Sequence, residues 1–296
     1  MMNNYKMVDL SIFDRVNNLN ISDANKYNLD ETLYQYRFFI NNLKYLSDNE
    51  SFPVKERNAF LKNMKEQDIK DNQITENENE TLIEIYRYLD KESVTDSLIK
   101  RRGKPISLEE LKYYHKLLLK GTSSNSFKDD YVRCDNNHWV GTEISEKERD
   151  VHYMPIDYKD IPKALELLVD YYNNDKLNDE NDIFVKPFLF HLLIATLQIF
   201  DDGNTRLARV FQHIKLWNYT NSFYGIHLTS PILYLTKPYK IYRPQYREII
   251  KDVANDDSDK SINKWLEFNL YRAQEQLYKQ SSDLEELKGV IKRYRR

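Results

Sequence analysis

The 296-residue sequence contains a single cysteine, Cys134, and little glycine or proline, with 6 and 8 residues respectively. One cysteine excludes an intrachain disulfide and a metal site built from several thiolates. Scarce glycine and proline, together with abundant leucine, lysine, glutamate, asparagine and tyrosine, favour long helices over a β-sandwich with many turns. The composition therefore predicts a mainly α-helical fold.

A strong charge of one sign and long apolar runs are lacking too. The 44 Lys and Arg and 47 Asp and Glu residues give a net charge of −3 and are mixed along most of the chain, so no basic footprint for nucleic acid is visible. No apolar run reaches the roughly 18 residues of a membrane span. Nor does a signal-peptide core follow residues 1–6. We therefore expect a cytoplasmic protein with neither a membrane nor a nucleic-acid partner.

The most informative stretch runs from Gln198 to Arg209. An apolar run precedes it and a helical pattern from Leu207 to Tyr219 follows, so its Asp-Asp-Gly-Asn core reads as a turn between two helices. The free N–H groups and positive dipole end of the second helix form an anion site. Arg206 and Arg209 add guanidinium groups close together on that helix. This part of the sequence predicts a site for phosphate groups.

Three polar residues of the turn add to this interpretation. Asp202 brings one carboxylate among cations, which is explained if it holds Mg²⁺ bridging phosphate oxygens. Gly203 allows the backbone to approach a ligand closely, and Asn204 tolerates a left-handed turn while offering its amide to a phosphate oxygen. An Asp-Gly-Asn turn alone is common between helices. The full pattern, with Phe200 and both arginines, is much more specific.

The same stretch resembles the signature of the Fic (Fido-domain) family, His-x-Phe-x-Asp/Glu-Gly-Asn-Gly/Lys-Arg-x-x-Arg. Members of that family mostly transfer AMP from ATP to a protein hydroxyl. Six positions match in type and spacing, namely Phe200, Asp202, Gly203, Asn204, Arg206 and Arg209. Two positions depart, since Gln198 stands where the family has its catalytic His and Thr205 replaces Gly or Lys. The His acts there as general base, and a carboxamide lacks the basicity for that role.

The resemblance implies a mainly α-helical Fic-type bundle with a short β-hairpin flap, and Gln198 facing the turn from Asp202 to Asn204. It also implies Mg²⁺ at Asp202, with ATP or another nucleotide held by Gly203, Asn204, Thr205, Arg206 and Arg209. The domain organisation that follows is an N-terminal helical extension at 1–70, the Fic domain with a preceding inhibitory-type helix at 71–278, and a charged C-terminal tail at 279–296.

Two short β-prone runs separated by a polar connection predict a hairpin between Trp139 and Tyr153. In the family this flap pairs with the backbone of a target segment, a form of β-augmentation. The expected partners are therefore a nucleotide and a target protein docked along Trp139–Tyr153, and a homodimer stays open. Arg133 resembles the arginine that commonly precedes the flap.

Residues 72–77 resemble the family's inhibitory pattern, Ser/Thr-x-x-x-Glu-Gly/Asn, whose Glu pairs with the second arginine of the signature. Glu76 and Asn77 fit this pattern, whereas Asn72 replaces the Ser or Thr. The resemblance gives Glu76 an inhibitory role towards Arg209. The alternative is that Glu76 is a solvated residue of a helix in an acidic stretch.

The histidines give no metal site. His138 and His152 have a spacing that supports no known ligand arrangement, so we interpret both as loop residues. His191 lies about two turns before Gln198, and we expect a core histidine with a satisfied hydrogen bond rather than a substitute base. Tyr242 or Tyr246 could approach a nucleotide base, although packing is the default role of tyrosine here.

The sequence leaves two functions open, one catalytic and one regulatory. One is a nucleotide-dependent transferase that adds AMP, or a related phosphate-linked group, to a protein hydroxyl. Loss of a general base typically costs about 10²–10⁴ in rate, so Gln198 predicts weak activity unless Asp201 substitutes or the donor differs from ATP. The alternative is a catalytically inactive Fic pseudoenzyme that regulates by binding a nucleotide or a protein.

Overall fold

The computed structural model describes residues 5–48, 59–64, 66, 67, 70, 105–119, 132–145, 148–173, 179–226, 228 and 231–294. Their order is α1 (Ser11–Asn17), α2 (Asp23–Asp48), α3 (Leu108–Leu119), β1 (Val140–Ser145), β2 (Glu148–Tyr153), a 3-10 turn (Tyr158–Asp160), α4 (Ile161–Asn173), α5 (Asp182–Leu197), α6 (Asn204–Tyr224), α7 (Thr236–Ile241), α8 (Arg243–Asn255) and α9 (Asp259–Tyr294). The predicted mainly α-helical fold with a short hairpin is confirmed. Glu76 lies outside the described residues, so its contact with Arg209 stays a prediction.

Helix α5 is the centre of the bundle because it is apolar on every side. Its residues from Phe188 to Leu197 are all buried, and α4, α6, α8 and α9 pack around it. A helix without a polar face has to be enclosed in this way. The end of α5 is thereby held rigidly in the core. It fixes the point from which the following loop begins. Among the described residues no helix combines the length and hydropathy needed to cross a bilayer.

The first and last long helices pack side by side along the bundle. Gln274 of α9 donates to the Asn28 carbonyl at 3.1 Å and to Thr32 Oγ1 at 3.0 Å, both on α2. Helix α9 is continuous through residue 278 to Tyr294, and Leu284 on it is buried. The predicted division into 1–70, 71–278 and 279–296 stays a prediction.

The hairpin is antiparallel and projects from the bundle. Its register pairs Val140 with Tyr153 and Gly141 with Val151, with an irregularity between these two pairs. A Cβ on Gly141 would lie 2.0 Å from the carbonyl oxygen of Asp150, so only glycine fits there. Most of both strands is exposed, whereas Tyr153 is buried and donates to the Ala195 carbonyl at 3.2 Å. The base of the hairpin is thus tied to the end of α5.

Two buried histidines lie in the core of α5 and α6. His191 is fully buried and hydrogen-bonds to Gln212 and, at 2.9 Å, to the hydroxyl of Tyr246, which confirms the predicted core histidine. His213 accepts a hydrogen bond from the Leu235 N–H at 3.1 Å. Protonation would remove that acceptor. Burial, followed by the charges of His191 and Arg209, lowers the pKa of His213 to about 3.

This pKa predicts a loss of stability in mild acid. The unfolded chain takes up a proton on His213 below about pH 6.5, whereas the folded protein does not, so this stability is complete above that pH and falls as the pH drops. The His213→Gln variant keeps an acceptor and cannot be protonated. Between pH 6.5 and 5 it should lose about 2 kcal/mol less of the free energy of unfolding than the wild type, measured with urea. An equal loss would contradict the assignment.

Candidate functional site

The loop after α5 begins with a residue in an unusual backbone conformation. Gln198 caps α5 with φ 49° and ψ 55°, and within the described part of the chain it is the one non-glycine residue with positive φ. Its side-chain amide donates to the Ala195 carbonyl at 2.6 Å, and its Oε1 accepts from Asn204 at 3.1 Å. The predicted orientation of Gln198 towards the turn is confirmed. Its carboxamide spans the gap between the end of α5 and the start of α6.

Asn204 closes the same loop from the other side. Its Oδ1 accepts from the Phe200 N–H at 3.0 Å, and its Nδ2 donates to the Phe200 carbonyl at 2.8 Å. The residue is 3% exposed, and these bonds replace the water that its side-chain oxygen and nitrogen would otherwise bind. Asn204 is therefore a positioning residue here, and its amide is committed to the loop. The expected contact with a phosphate stays a prediction.

Position 203 requires a glycine for two reasons, its backbone conformation and the closeness of helix α3. It has φ 80°, a region that side-chain-bearing residues rarely adopt. A Cβ at this position would lie 3.1 Å from Leu119 and 3.3 Å from His115, both on α3. The close approach that this glycine allows within the protein is thus to α3, and its close approach to a ligand stays a prediction.

His115 holds the turn and was not identified from the sequence. Its Nε2–H donates to the Asp202 carbonyl at 2.7 Å, and its ring stacks on Phe200 with centroids 3.8 Å apart. Burial lowers the pKa of His115 to about 4, so the imidazole is neutral at pH 7. The helical pattern places it on α3, but no sequence signal connects it with a loop about ninety residues away.

Arg133 fixes the loop from the side of the hairpin. It is 3% exposed, and its guanidinium donates to the carbonyls of Gln198 and Ile156, each at 2.6 Å, and of Asp135 at 3.2 Å. Its own N–H donates to the Ile199 carbonyl at 3.1 Å. One buried cation therefore satisfies three carbonyls and sets the path of the loop, which makes Arg133 a second positioning residue.

A cavity of about 380 Å³ opens beside this loop, between the base of the hairpin and helices α7 and α8. Its lining residues are Val140, Gly141, His152, Tyr153, Ala195, Gln198, Asp202, Thr205, Arg206, Arg209, Tyr239, Lys240, Arg243, Tyr246, Arg247 and Ile250. Of the predicted site residues, Gln198, Asp202, Thr205, Arg206 and Arg209 line the cavity. Gly203 and Asn204 do not. The volume falls in the range typical of small-molecule sites.

The cavity lining is strongly cationic. Arg206 and Arg209 of α6 line the cavity together with three further cations, Lys240, Arg243 and Arg247. The sequence alone did not indicate these three. Asp202 is the single acidic residue among the described lining residues. An anionic ligand would relieve the repulsion between these positive groups. The charge of the cavity therefore suits a polyphosphate.

Asp202 is half exposed at the edge of the cavity, where a carboxylate could serve as one of several metal ligands. Its Oδ1 accepts from the Gly203 N–H at 2.6 Å and its Oδ2 pairs with Arg206 at 3.0 Å, while 49% of the side chain is exposed. Among the described residues no group of three or more His, Cys, Asp or Glu could hold a metal ion. Mg²⁺ commonly binds one or two carboxylates and takes its other ligands from phosphates and water. Asp202 fits that arrangement, and Mg²⁺ here stays a prediction.

Other acid–base groups near the turn form pairs with one another. Asp201 pairs with His138 at 3.2 Å and does not line the cavity, which gives no support to Asp201 as a substitute base. His152 lies in the cavity wall on the hairpin and contacts Asp150 at 3.2 Å. Tyr246 also lines the cavity.

Comparison with known proteins identifies the fold. The family model described as Fic/DOC family matches residues 105–216. A Fic family protein from Desulfovibrio desulfuricans G20 superposes with a TM-score of 0.56 at 16% identity, over 89% of this chain and 76% of that one. A Fic domain containing signaling protein from Bacteroides thetaiotaomicron VPI-5482 gives 0.55 at 14% identity, over 88% and 97%. At these identities the superpositions show the fold alone. No curated protein matched the chain.

Proposed function

We propose that this chain, whose residues 105–216 match the model of the Fic/DOC family, binds a nucleoside triphosphate, with ATP as the first candidate, together with Mg²⁺. The observation that carries the proposal is the cationic cavity beside the N-terminus of α6, with Asp202 at its edge. Arginine forks and a helix N-terminus both favour phosphate oxygens. Asp202 would hold the metal, which would neutralise charge on the phosphates.

The reaction that fits this ligand is transfer of AMP, or of a related phosphate-linked group, to a hydroxyl of a target protein. In AMP transfer the hydroxyl oxygen bonds to the α-phosphorus, pyrophosphate leaves, and the hydroxyl proton goes to a base. Arg206 and Arg209 would hold the phosphates and stabilise charge on the leaving group. Gln198 lies where the family has its base, and a carboxamide cannot take that proton. We therefore expect weak transfer.

The geometry of Gln198 favours one alternative, an inactive Fic pseudoenzyme that binds a nucleotide or a protein as a regulator. Both ends of the carboxamide are hydrogen-bonded within the protein, to Ala195 and to Asn204. A side chain used in this way stabilises the loop and leaves the binding residues of the cavity in place. Binding without transfer would support this alternative.

A target protein would dock along the hairpin between Trp139 and Tyr153. Residues 142–145 and 148–150 are exposed, and among the described residues β1 and β2 form a sheet of two strands. Each strand therefore presents an outer edge, which an extended segment can join by backbone hydrogen bonds. A homodimer remains an open alternative.

Calorimetry with Mg²⁺ and ATP tests the binding proposal. We expect the wild type to bind and the Arg206→Ala and Asp202→Ala variants to bind roughly tenfold or more weakly, since a hydrogen bond to a charged group contributes about 1.5–3 kcal/mol. Chelation of the metal should weaken binding by the wild type more than by Asp202→Ala. The control is Lys163→Ala, an exposed residue of α4 outside the cavity. Absence of binding by the wild type would overturn the proposal.

A further inference from the structure

Helices α7 and α8 contribute a second group of cations to the cavity. Lys240 lies near the end of α7, and Arg243 and Arg247 lie one turn apart at the start of α8. All three are exposed and line the same cavity as Arg206 and Arg209. Since residues four apart share one face of a helix, both arginines of α8 present their side chains to the same region.

The two arginines of α8 repel each other. Burial, and then the positive charge of Arg243, lowers the pKa of Arg247. Among the described residues neither of them forms an ion pair with a carboxylate. Like charges at this spacing destabilise a helix, so the arrangement costs stability unless an anion lies between them. The cavity offers no such anion, because its acidic residue, Asp202, is paired with Arg206.

A triphosphate with its metal ion does not require this second group. In the proposed function the triphosphate is held by the N-terminus of α6 together with Arg206 and Arg209. These groups belong to the loop side of the cavity, and the cations of α7 and α8 come in addition to them. The excess of positive charge across the cavity indicates a ligand with one more anionic group than a nucleoside triphosphate.

We propose that Lys240, Arg243 and Arg247 form a second anion subsite that takes a phosphate group additional to the triphosphate of the donor nucleotide. This inference rests on the proposed function, because it presumes that a nucleotide occupies the cavity. The additional phosphate would belong to a longer phosphate chain or to a phosphorylated ribose. Both present the same chemistry to arginine and lysine, namely oxygens that accept charge-assisted hydrogen bonds.

Measuring the affinity of the wild type for each of three nucleotides tests the subsite. ATP is compared with adenosine 5′-tetraphosphate and with ATP that carries a phosphate on the 3′-hydroxyl, all with Mg²⁺. We expect one of the two tetraphosphorylated ligands to bind the wild type about tenfold more tightly than ATP. Which of them gains affinity distinguishes the longer chain from the phosphorylated ribose.

The double variant Arg243→Gln with Arg247→Gln should abolish that gain, because it should lower the affinity for the preferred ligand about tenfold more than the affinity for ATP. The matched control is Lys251→Gln, which removes one positive charge from α8 at an exposed residue outside the cavity. It should keep the gain. Melting temperatures check that every variant is folded.

The outcomes separate the subsite from the proposed function. Equal affinity of the wild type for all three ligands overturns the subsite and leaves nucleotide binding intact. The same fold-loss for ATP and for the preferred ligand in the double variant also overturns it. If the wild type binds none of the three, the proposed function fails and the subsite fails with it.

Discussion

The Gln198→His variant is expected to transfer AMP to a protein hydroxyl about 10²–10⁴ times faster than the wild type. An imidazole with a pKa near neutrality can take the hydroxyl proton, which a carboxamide cannot do. The backbone is suited to the change. Position 198 has φ 49°, and histidine is among the residues enriched in this left-handed region. Transfer would be measured by mass spectrometry with labelled ATP.

The matched control for this gain is Gln198→Asn, which also tolerates the left-handed backbone but supplies no base. It should leave transfer at the wild-type level. Combining Gln198→His with Glu76→Gly should raise transfer further if Glu76 restrains Arg209 as the resemblance implies. Transfer by the histidine variant no faster than by the asparagine variant would show that loss of the base is not what limits the site, and would favour the regulatory alternative.

The parts of the fold that the sequence predicted are those set by local signals. The apolar run of α5, the turn and the start of α6 follow one another within about twenty residues, and each is marked by its own residue types. The hairpin between Trp139 and Tyr153 was likewise visible as two β-prone runs. In these segments the tertiary structure agrees with the local preference, so local reasoning was sufficient.

The contacts that support the loop could not be predicted in this way. His115 contacts Asp202 across 87 positions of sequence, and Arg133 contacts Gln198 across 65. A buried cation or imidazole at such a distance leaves no periodic signal in the sequence. The same holds for Arg243 and Arg247, whose membership of the cavity depends on how α8 packs against α5.

Gly203 and Asn204 illustrate a different limit. Sequence reasoning identified both as special residues of the turn, and both are. The structure adds roles that the sequence did not predict, since the missing side chain of Gly203 makes room for α3 and the amide of Asn204 closes the loop. The predicted contacts of both residues with a ligand stay predictions. In the sequence, a glycine or an asparagine at a turn looks the same whether it contacts a ligand or another part of the protein.

The dependence of the loop on Arg133 leads to the largest expected effect on stability. Arg133→Met keeps much of the volume and removes the donors to the Gln198, Ile156 and Asp135 carbonyls. Buried acceptors left without donors cost about 1–3 kcal/mol each, so we expect a loss of about 2–4 kcal/mol in the free energy of unfolding after relaxation. Urea unfolding at pH 7 measures it.

Two further variants make this test specific to the buried hydrogen bonds. Arg149→Met removes an exposed arginine that lies 5.1 Å from the ring of Trp139, and it should cost no more than about 1 kcal/mol. Arg133→Lys keeps the charge but cannot reach three carbonyls with a planar fork, so its stability should lie between those of Arg133→Met and the wild type. Because Arg133 holds the Gln198 carbonyl, Arg133→Lys should also weaken nucleotide binding, whereas Arg149→Met should not. Equal stability of Arg133→Met and Arg149→Met would show that the loop keeps its path without this arginine.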